Sequence, residues 1–158
     1  MENHGYLGDG RKDSDYIAGI LPYQTRLETG DWRAYIPEGE RQYSNPSGSG
    51  TIDSMSCVSF SAINSIETQE FFLTGKRPNY SDRWIAKMSG TTKQGNYLIK
   101  VIDTIRQYGL VPESMYPAPN TPWNWEEYHK PIPDQIMAQC LAEGQKWLQK
   151  WAVPYEWV

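Results

Sequence analysis

The sequence predicts an α+β protein, mainly α, built as one domain, and three observations carry that prediction. Four segments place apolar residues at helical spacing, the stretches between them are rich in Gly and Pro, and only two short runs read as strand. A length of 158 residues suits one domain. Leu, Ile, Val and Phe together make up less than a fifth of the chain, a composition that normally signals disorder. Seven Trp and eleven Tyr answer that signal, because each ring can supply the missing core area.

The first fifty residues show no sustained period. Tyr16 to Pro22 is the one short apolar run there, a strand or an extended arm, and Asn45 to Gly50 is a Ser/Gly loop by composition. A helix follows over 54–74. Val58, Ala62, Ile66 and Leu73 lie on one side, with Phe60, Ile63 and Phe71 beside them. Asp53, Ser54 and Ser56 are candidate caps, and Gly75 is the stop. So much apolar surface around the first turns predicts a helix in the middle of the domain.

Ser81 caps a short second helix carrying Trp84, Ile85 and Met88. Leu98, Val101, Ile102, Ile105 and Tyr108 make the third, ended by Gly109. Pro133 opens the fourth, with Ile136, Cys140, Trp147, Leu148 and Trp151 on one stripe. The stretch from Pro112 to Pro131 reads as loop, too rich in proline for a helix or a central strand. Val153 to Val158 reads as the start of a strand, and the aromatic residues Trp147, Trp151, Tyr155 and Trp157 pack either on the domain itself or on a partner.

Charge and composition narrow the function classes. A formal net charge of -4, with the 15 basic residues scattered, excludes nucleic acid as the main partner. No apolar run reaches membrane-span length, and the polar amino end Met1 to Tyr6 lacks the apolar stretch of a secretory signal. Two cysteines, Cys57 and Cys140, are too few for a disulfide scaffold, so a reducing compartment is expected: cytoplasmic, or associated with a virus of such a cell. No cluster calls for a metal or other cofactor. The two histidines are His4 and His129.

Spacing and chemistry coincide at Cys57. At or near the start of the buried helix, free backbone N–H groups and the helix dipole favour a thiolate, which is the nucleophilic form. The plainer reading is an inert small apolar residue on an apolar helix.

The surrounding residues decide between these. Ser56-Cys57-Val58-Ser59-Phe60-Ser61-Ala62, followed by Ile66-Glu67, resembles the nucleophile helix of papain-like cysteine peptidases, Ser-Cys-Trp-Ala-Phe-Ser-Ala and then Ile-Glu. Asp31-Trp32-Arg33 is similar to the opening of that family's mature domain, and Tyr80-Ser81-Asp82 to its Leu-Ser-Glu helix start. Gly95-Asn96-Tyr97 falls where the family has Gly-Gly-Tyr, and Tyr108-Gly109-Leu110 and Tyr116-Pro117 match two further landmarks in the same order. The likeness runs from about Asp31 to Pro117, somewhat more than half the chain.

The resemblance implies the helical (left) lobe of a papain-like fold over 31–158, preceded by an irregular arm over 1–30, with a loop insertion at 44–52 and a Pro-rich loop at 112–133. Cys57 then matches the nucleophile, which forms a thioester with the acyl half of a peptide or protein substrate. Gln42 matches the oxyanion-hole glutamine, its amide acting with the Cys57 backbone N–H. Gly95 and Asn96 fall on the strip that hydrogen-bonds an extended substrate, and Glu67 and Asp82 match a pair of buried structural acids.

The departures matter equally. Ser54 and Lys93 stand where the family carries two disulfide-bonded cysteines; losing both together fits a reducing compartment. Gln42 lies fifteen residues from Cys57, farther than usual, with the Ser/Gly loop between them. Asn96 replaces a glycine, which predicts a narrowed cleft or a changed backbone there. The family's histidine falls roughly 130–150 residues after the nucleophile, about position 187–207, past residue 158. His129 reads as a solvated loop histidine rather than a relocated base. The β-barrel lobe is therefore expected to be missing or incomplete. The base comes from the rest of a longer protein or from a second chain, or the lobe is a catalytically inactive structural or interaction module of a larger assembly. Acyl transfer or deamidation on the same thiol is a third, thinner reading.

Overall fold

The structure, a computed structural model, describes residues 5–8, 27–45 and 50–151. The strand expected within 16–22, most of the 1–30 arm, the strand expected over 153–158, and Tyr155 and Trp157 lie outside the described residues. In chain order the elements are β1 (Tyr6–Leu7), β2 (Tyr43–Ser44), β3 (Ile52–Asp53), α1 (Cys57–Thr74), α2 (Asp82–Met88), β4 (Asn96–Tyr97), α3 (Leu98–Tyr108), α4 (Trp125–Tyr128) and α5 (Asp134–Lys150). A 3-10 turn, Glu113–Met115, lies between α3 and α4. Among the described residues the β structure is two short ladders, β1 parallel to β4 and β2 antiparallel to β3, with isolated bridges between Tyr80 and Pro112 and between Thr92 and Gly95. The protein is mainly α, with small sheets at its edges.

All four expected helices form. Helix α1 begins at Cys57 rather than at residue 54, because Met55 adopts a left-handed φ of 57° and no helix can run through it. Gly75, at φ 71°, ends it. Its buried residues, among them Val58, Ala62, Ile63 and Glu67, end at Glu67; Leu73, expected on the buried side, is exposed. Phe71 and Phe72 are covered by an aromatic lid, with Trp32 and Tyr35 edge-on to Phe72 at 5.3 and 5.2 Å.

Helices α1, α2 and α3 share one core, in which Trp84, Ile63, Ile85, Val101 and Ile105 are fully buried, and α5 adds Cys140 and Trp147. Ser81 caps α2 by accepting the Trp84 N–H (3.0 Å), as expected. Trp147 donates its indole N–H to the Tyr80 hydroxyl (3.0 Å), so this part of the aromatic tail packs on the domain itself. Helices α3 and α5 meet at two glycines. A Cβ on Gly109 would overlap the Gly144 carbonyl, and one on Gly144 the Tyr108 carbonyl.

The 112–131 stretch is not wholly loop. The proline-free run Trp123 to Lys130 leaves room for one helical turn, and α4 takes it with a capping box: Asn124 accepts the Glu127 N–H and Glu127 the Asn124 N–H, both at 2.9 Å. Buried Arg83 of α2 fastens this stretch, donating to the carbonyls of Tyr128 (2.7 Å), Glu127 (2.7 Å) and Pro117 (2.9 Å) under the Tyr116 and Tyr128 rings. Lys87 donates to the His129 carbonyl. This stapling brings His129 to the start of α1. Among the described residues no helix is long and apolar enough to cross a membrane.

Candidate active site

Cys57 is the first residue of α1 and is half-buried. The turn before it is held from three sides. From just before β2, the Gln42 carbonyl accepts the Ser54 N–H (2.9 Å) and the Gln42 side-chain amide donates to Asp53 (3.1 Å). Within the turn, Asp53 accepts the Met55 N–H (2.7 Å) and the Ser56 hydroxyl donates to the Ser54 carbonyl (3.1 Å). From the α4 side, His129 Nε2 lies 2.9 Å from that same carbonyl. A carbonyl can only accept, so His129 carries its proton on Nε2.

Strands β2 and β3 flank the Ser/Gly insertion, whose residues 46–49 lie outside the described residues. Tyr43 pairs with Asp53 and Ser44 with Ile52, which returns the chain to its starting point and sets Gln42 beside the turn that carries Cys57 despite the long separation in sequence. The buried Ser44 hydroxyl then accepts the Trp123 N–H (2.9 Å), tying the strand pair to the α4 segment. One N–H of the Gln42 amide is engaged by Asp53, and the other is left for a ligand or solvent.

The Cys57 thiol departs from expectation. Burial raises its pKa above the ordinary thiol value and the Asp53 carboxylate raises it further; the Val58 N–H pulls the other way and loses. A helix start alone therefore does not make this thiol a thiolate. His129 also differs from its expected role. It is half-buried rather than solvated, its ring lies against Trp125 at 3.9 Å, and burial lowers its pKa. Through its Nε2 proton it braces the turn at the Ser54 carbonyl, and Nδ1 is the ring nitrogen left to accept a proton. His4 lies outside the described residues. Sequence reasoning missed this clamp; only the Asn124-x-x-Glu127 capping signature could have placed a helical turn just before His129.

Across from this turn stands the strip Gly95–Asn96. A reverse turn, with Gly95 N–H donating to the Thr92 carbonyl (2.9 Å), sets it up. Asn96 does not narrow the cleft. Its side chain is buried and turned into the domain, where its amide donates to Ser89 Oγ (2.8 Å) and its carbonyl oxygen accepts the Tyr97 N–H (2.8 Å). The strip meets the turn through one residue: the Gly5 carbonyl accepts the Asn96 N–H (2.7 Å), and Gly5 packs against the Met55 backbone.

The acids Glu67 and Asp82 are buried, as the resemblance implies. Burial, above all, lifts Glu67 to about 7, although its carboxylate accepts the Tyr80 N–H (2.6 Å). Asp82 rises further, first from burial and then from neighbouring Glu40. A cavity of about 260 Å³ lined by Tyr35, Glu40, Glu67 and Arg77 lies beside these acids; its lining includes neither Cys57 nor the strip. Among the described residues no cluster of three metal-binding side chains forms. Lys93, which the resemblance sets at a family cysteine position, faces Glu126 at 3.5 Å.

No protein-family model matches the chain, and no curated protein matches it in sequence. Its fold is matched among solved structures by xylellain, a cysteine protease from Xylella fastidiosa, with a TM-score of 0.54 and 18% identity. The match covers 92% of this chain and 55% of that one, so the chain spans about half the length of the structure it matches. The chain therefore has an α+β, mainly α fold like part of a papain-like cysteine protease.

Proposed function

We propose that this chain is the nucleophile-bearing helical lobe of a papain-like cysteine peptidase, with Cys57 as the attacking group. The observation that carries the reading is the placement of Cys57: a half-buried thiol at the first residue of the central helix, on a turn braced by Gln42, Asp53 and His129. Likeness to a cysteine protease fold supports it.

In this reading the Cys57 thiolate attacks the scissile carbonyl carbon. The electron pair moves onto the carbonyl oxygen, and the Cys57 N–H and the remaining Gln42 amide N–H donate to that oxyanion. Collapse expels the amine, which takes up a proton, and leaves a thioester for water to hydrolyse. Both proton transfers need an imidazole, and the hydrogen bonds of the described residues join His129 to Ser54 rather than to the Cys57 sulfur. The base belongs to another part of a longer protein or to a second chain, with a peptide or protein as substrate. The bracing fixes the direction of the helix start, which matters because small misplacements of reacting groups cost large factors in rate.

The raised Cys57 thiol, on a half-buried helix start beside the Asp53 carboxylate, favours a second reading, a catalytically inactive module in a larger assembly. A peptidyl epoxide separates the two. The peptidase reading expects one covalent adduct on Cys57, absent from Cys57→Ala, with buried Cys140 unlabelled. No adduct on Cys57 in the presence of added imidazole supports the inactive module.

A further inference from the structure

The described part of the amino-terminal arm is already seated as a strand. Tyr6 pairs with Asn96 and Leu7 with Tyr97, in parallel, and the Gly5 carbonyl accepts the Asn96 N–H at 2.7 Å. Gly5 is buried and lies between two backbones. A Cβ built on it would overlap the carbonyl of Met55, and one built on Gly95 would overlap the carbonyl of Gly5. Both glycines hold positive φ, 99° and 103°, where a side chain is strained whatever the space. The partners cannot move aside cheaply, because both are main chain. Met55 is itself held at φ 57° by the Asp53 carboxylate on its N–H, and the Asn96 side chain is anchored inward on Ser89.

We propose that the slot between the Met55 carbonyl and Gly95 is a glycine-selective subsite for an extended peptide, filled here in cis by Gly5-Tyr6-Leu7. Main-chain pairing along Asn96–Tyr97 supplies the attachment, as in other recognition by strand addition, and the slot supplies the selectivity by admitting no Cβ. The peptides it takes from outside carry glycine at the slot, and they compete with a tethered segment whose effective concentration is high. This rests on the peptidase reading and extends the strip role that the resemblance implies for Gly95 and Asn96. Its test reads binding and amide exchange rather than hydrolysis, so it stands or falls apart from the fate of Cys57.

The test uses the full chain, wild type and Gly5→Val, with a fluorescein-labelled peptide Asn-His-Gly-Tyr-Leu-Gly, the sequence of residues 3–8, and a copy in which the first glycine is alanine. Anisotropy should show no binding of either peptide to the wild type. Gly5→Val, unable to seat its own strand, should bind the glycine peptide at least about tenfold more tightly than the alanine copy. Equal binding of the two peptides by Gly5→Val, binding of neither, or equal binding of the glycine peptide by wild type and variant overturns the proposal. Gly5→Ala is read the same way if the valine variant does not fold. Hydrogen exchange at the Asn96 amide is a separate check: protection in the wild type, lost in the variant, is expected, and an unprotected wild-type amide overturns the cis contact.

Discussion

Glu67 is the buried group whose removal has the most distinctive signature. Its carboxyl sits in the core at 5% exposure and titrates at about 7 in the folded protein, against 4.5 for the free side chain, mainly because burial penalises the charge. Between those two values the folded state holds a proton that the unfolded chain has released. Stability therefore falls as pH rises from 4.5 and stops falling above about 7. The full shift corresponds to about 3 kcal/mol, and about 2 kcal/mol after allowing for its mutual repulsion with neighbouring carboxylates. Glu67→Gln keeps an acceptor for the Tyr80 N–H and removes the titration. Relative to wild type it should gain about 2 kcal/mol between pH 5 and pH 8, or roughly 4–8 °C in Tm. The assay is urea unfolding followed by tryptophan fluorescence at several pH values in that interval. Reading the difference between variant and wild type at each pH cancels any constant cost of the amide. A difference that stays flat with pH, or that turns against the variant as pH rises, refutes the reasoning.

Two further substitutions probe the scaffold that places the site. Arg83→Met leaves the carbonyls of Pro117, Glu127 and Tyr128 without their donor and should cost about 3 kcal/mol by chemical denaturation, partly offset by the relief of burying the guanidinium; a cost below about 1 kcal/mol would show that the staple is dispensable. Gly144→Ala drives a Cβ into the Tyr108 carbonyl and should lower stability by about 1–3 kcal/mol, against the usual gain from replacing a helical glycine with alanine; an increase in Tm contradicts the close approach of α3 and α5.

Much of this architecture was legible because it depends on local signals. Gly75 and Gly109 end helices where the apolar period stops, and Ser81 accepts the N–H three residues on, as its type and position imply. The mainly helical class and the position of Cys57 at a helix start follow from the same signals. What was not legible depends on contacts distant in sequence. Nothing in the order of residues announces that Arg83 gathers three carbonyls from 34 to 45 positions away, or that His129 reaches Ser54 across 75. The rise in the Cys57 thiol is of this kind too. The helix start was visible, but the burial and the Asp53 charge that outweigh it depend on how the β2–β3 pair folds back. The inward turn of Asn96 depends on Ser89 and Thr91, whose loop geometry no periodicity encodes.

The central claim is that Cys57 is a nucleophile set beside oxyanion donors. It is tested most directly by the pre-steady-state burst with p-nitrophenyl acetate, a small ester that does not need the peptide strip and whose leaving group needs no acid. Wild type, Cys57→Ala and Gln42→Ala are compared at a pH high enough to ionise the thiol. The account predicts one equivalent of nitrophenol per chain with the thioester on Cys57, no burst from Cys57→Ala, and acylation slowed by about a hundredfold in Gln42→Ala, the order that loss of one oxyanion donor costs. A burst that survives in Cys57→Ala, or that proceeds at the same rate without the Gln42 amide, contradicts it.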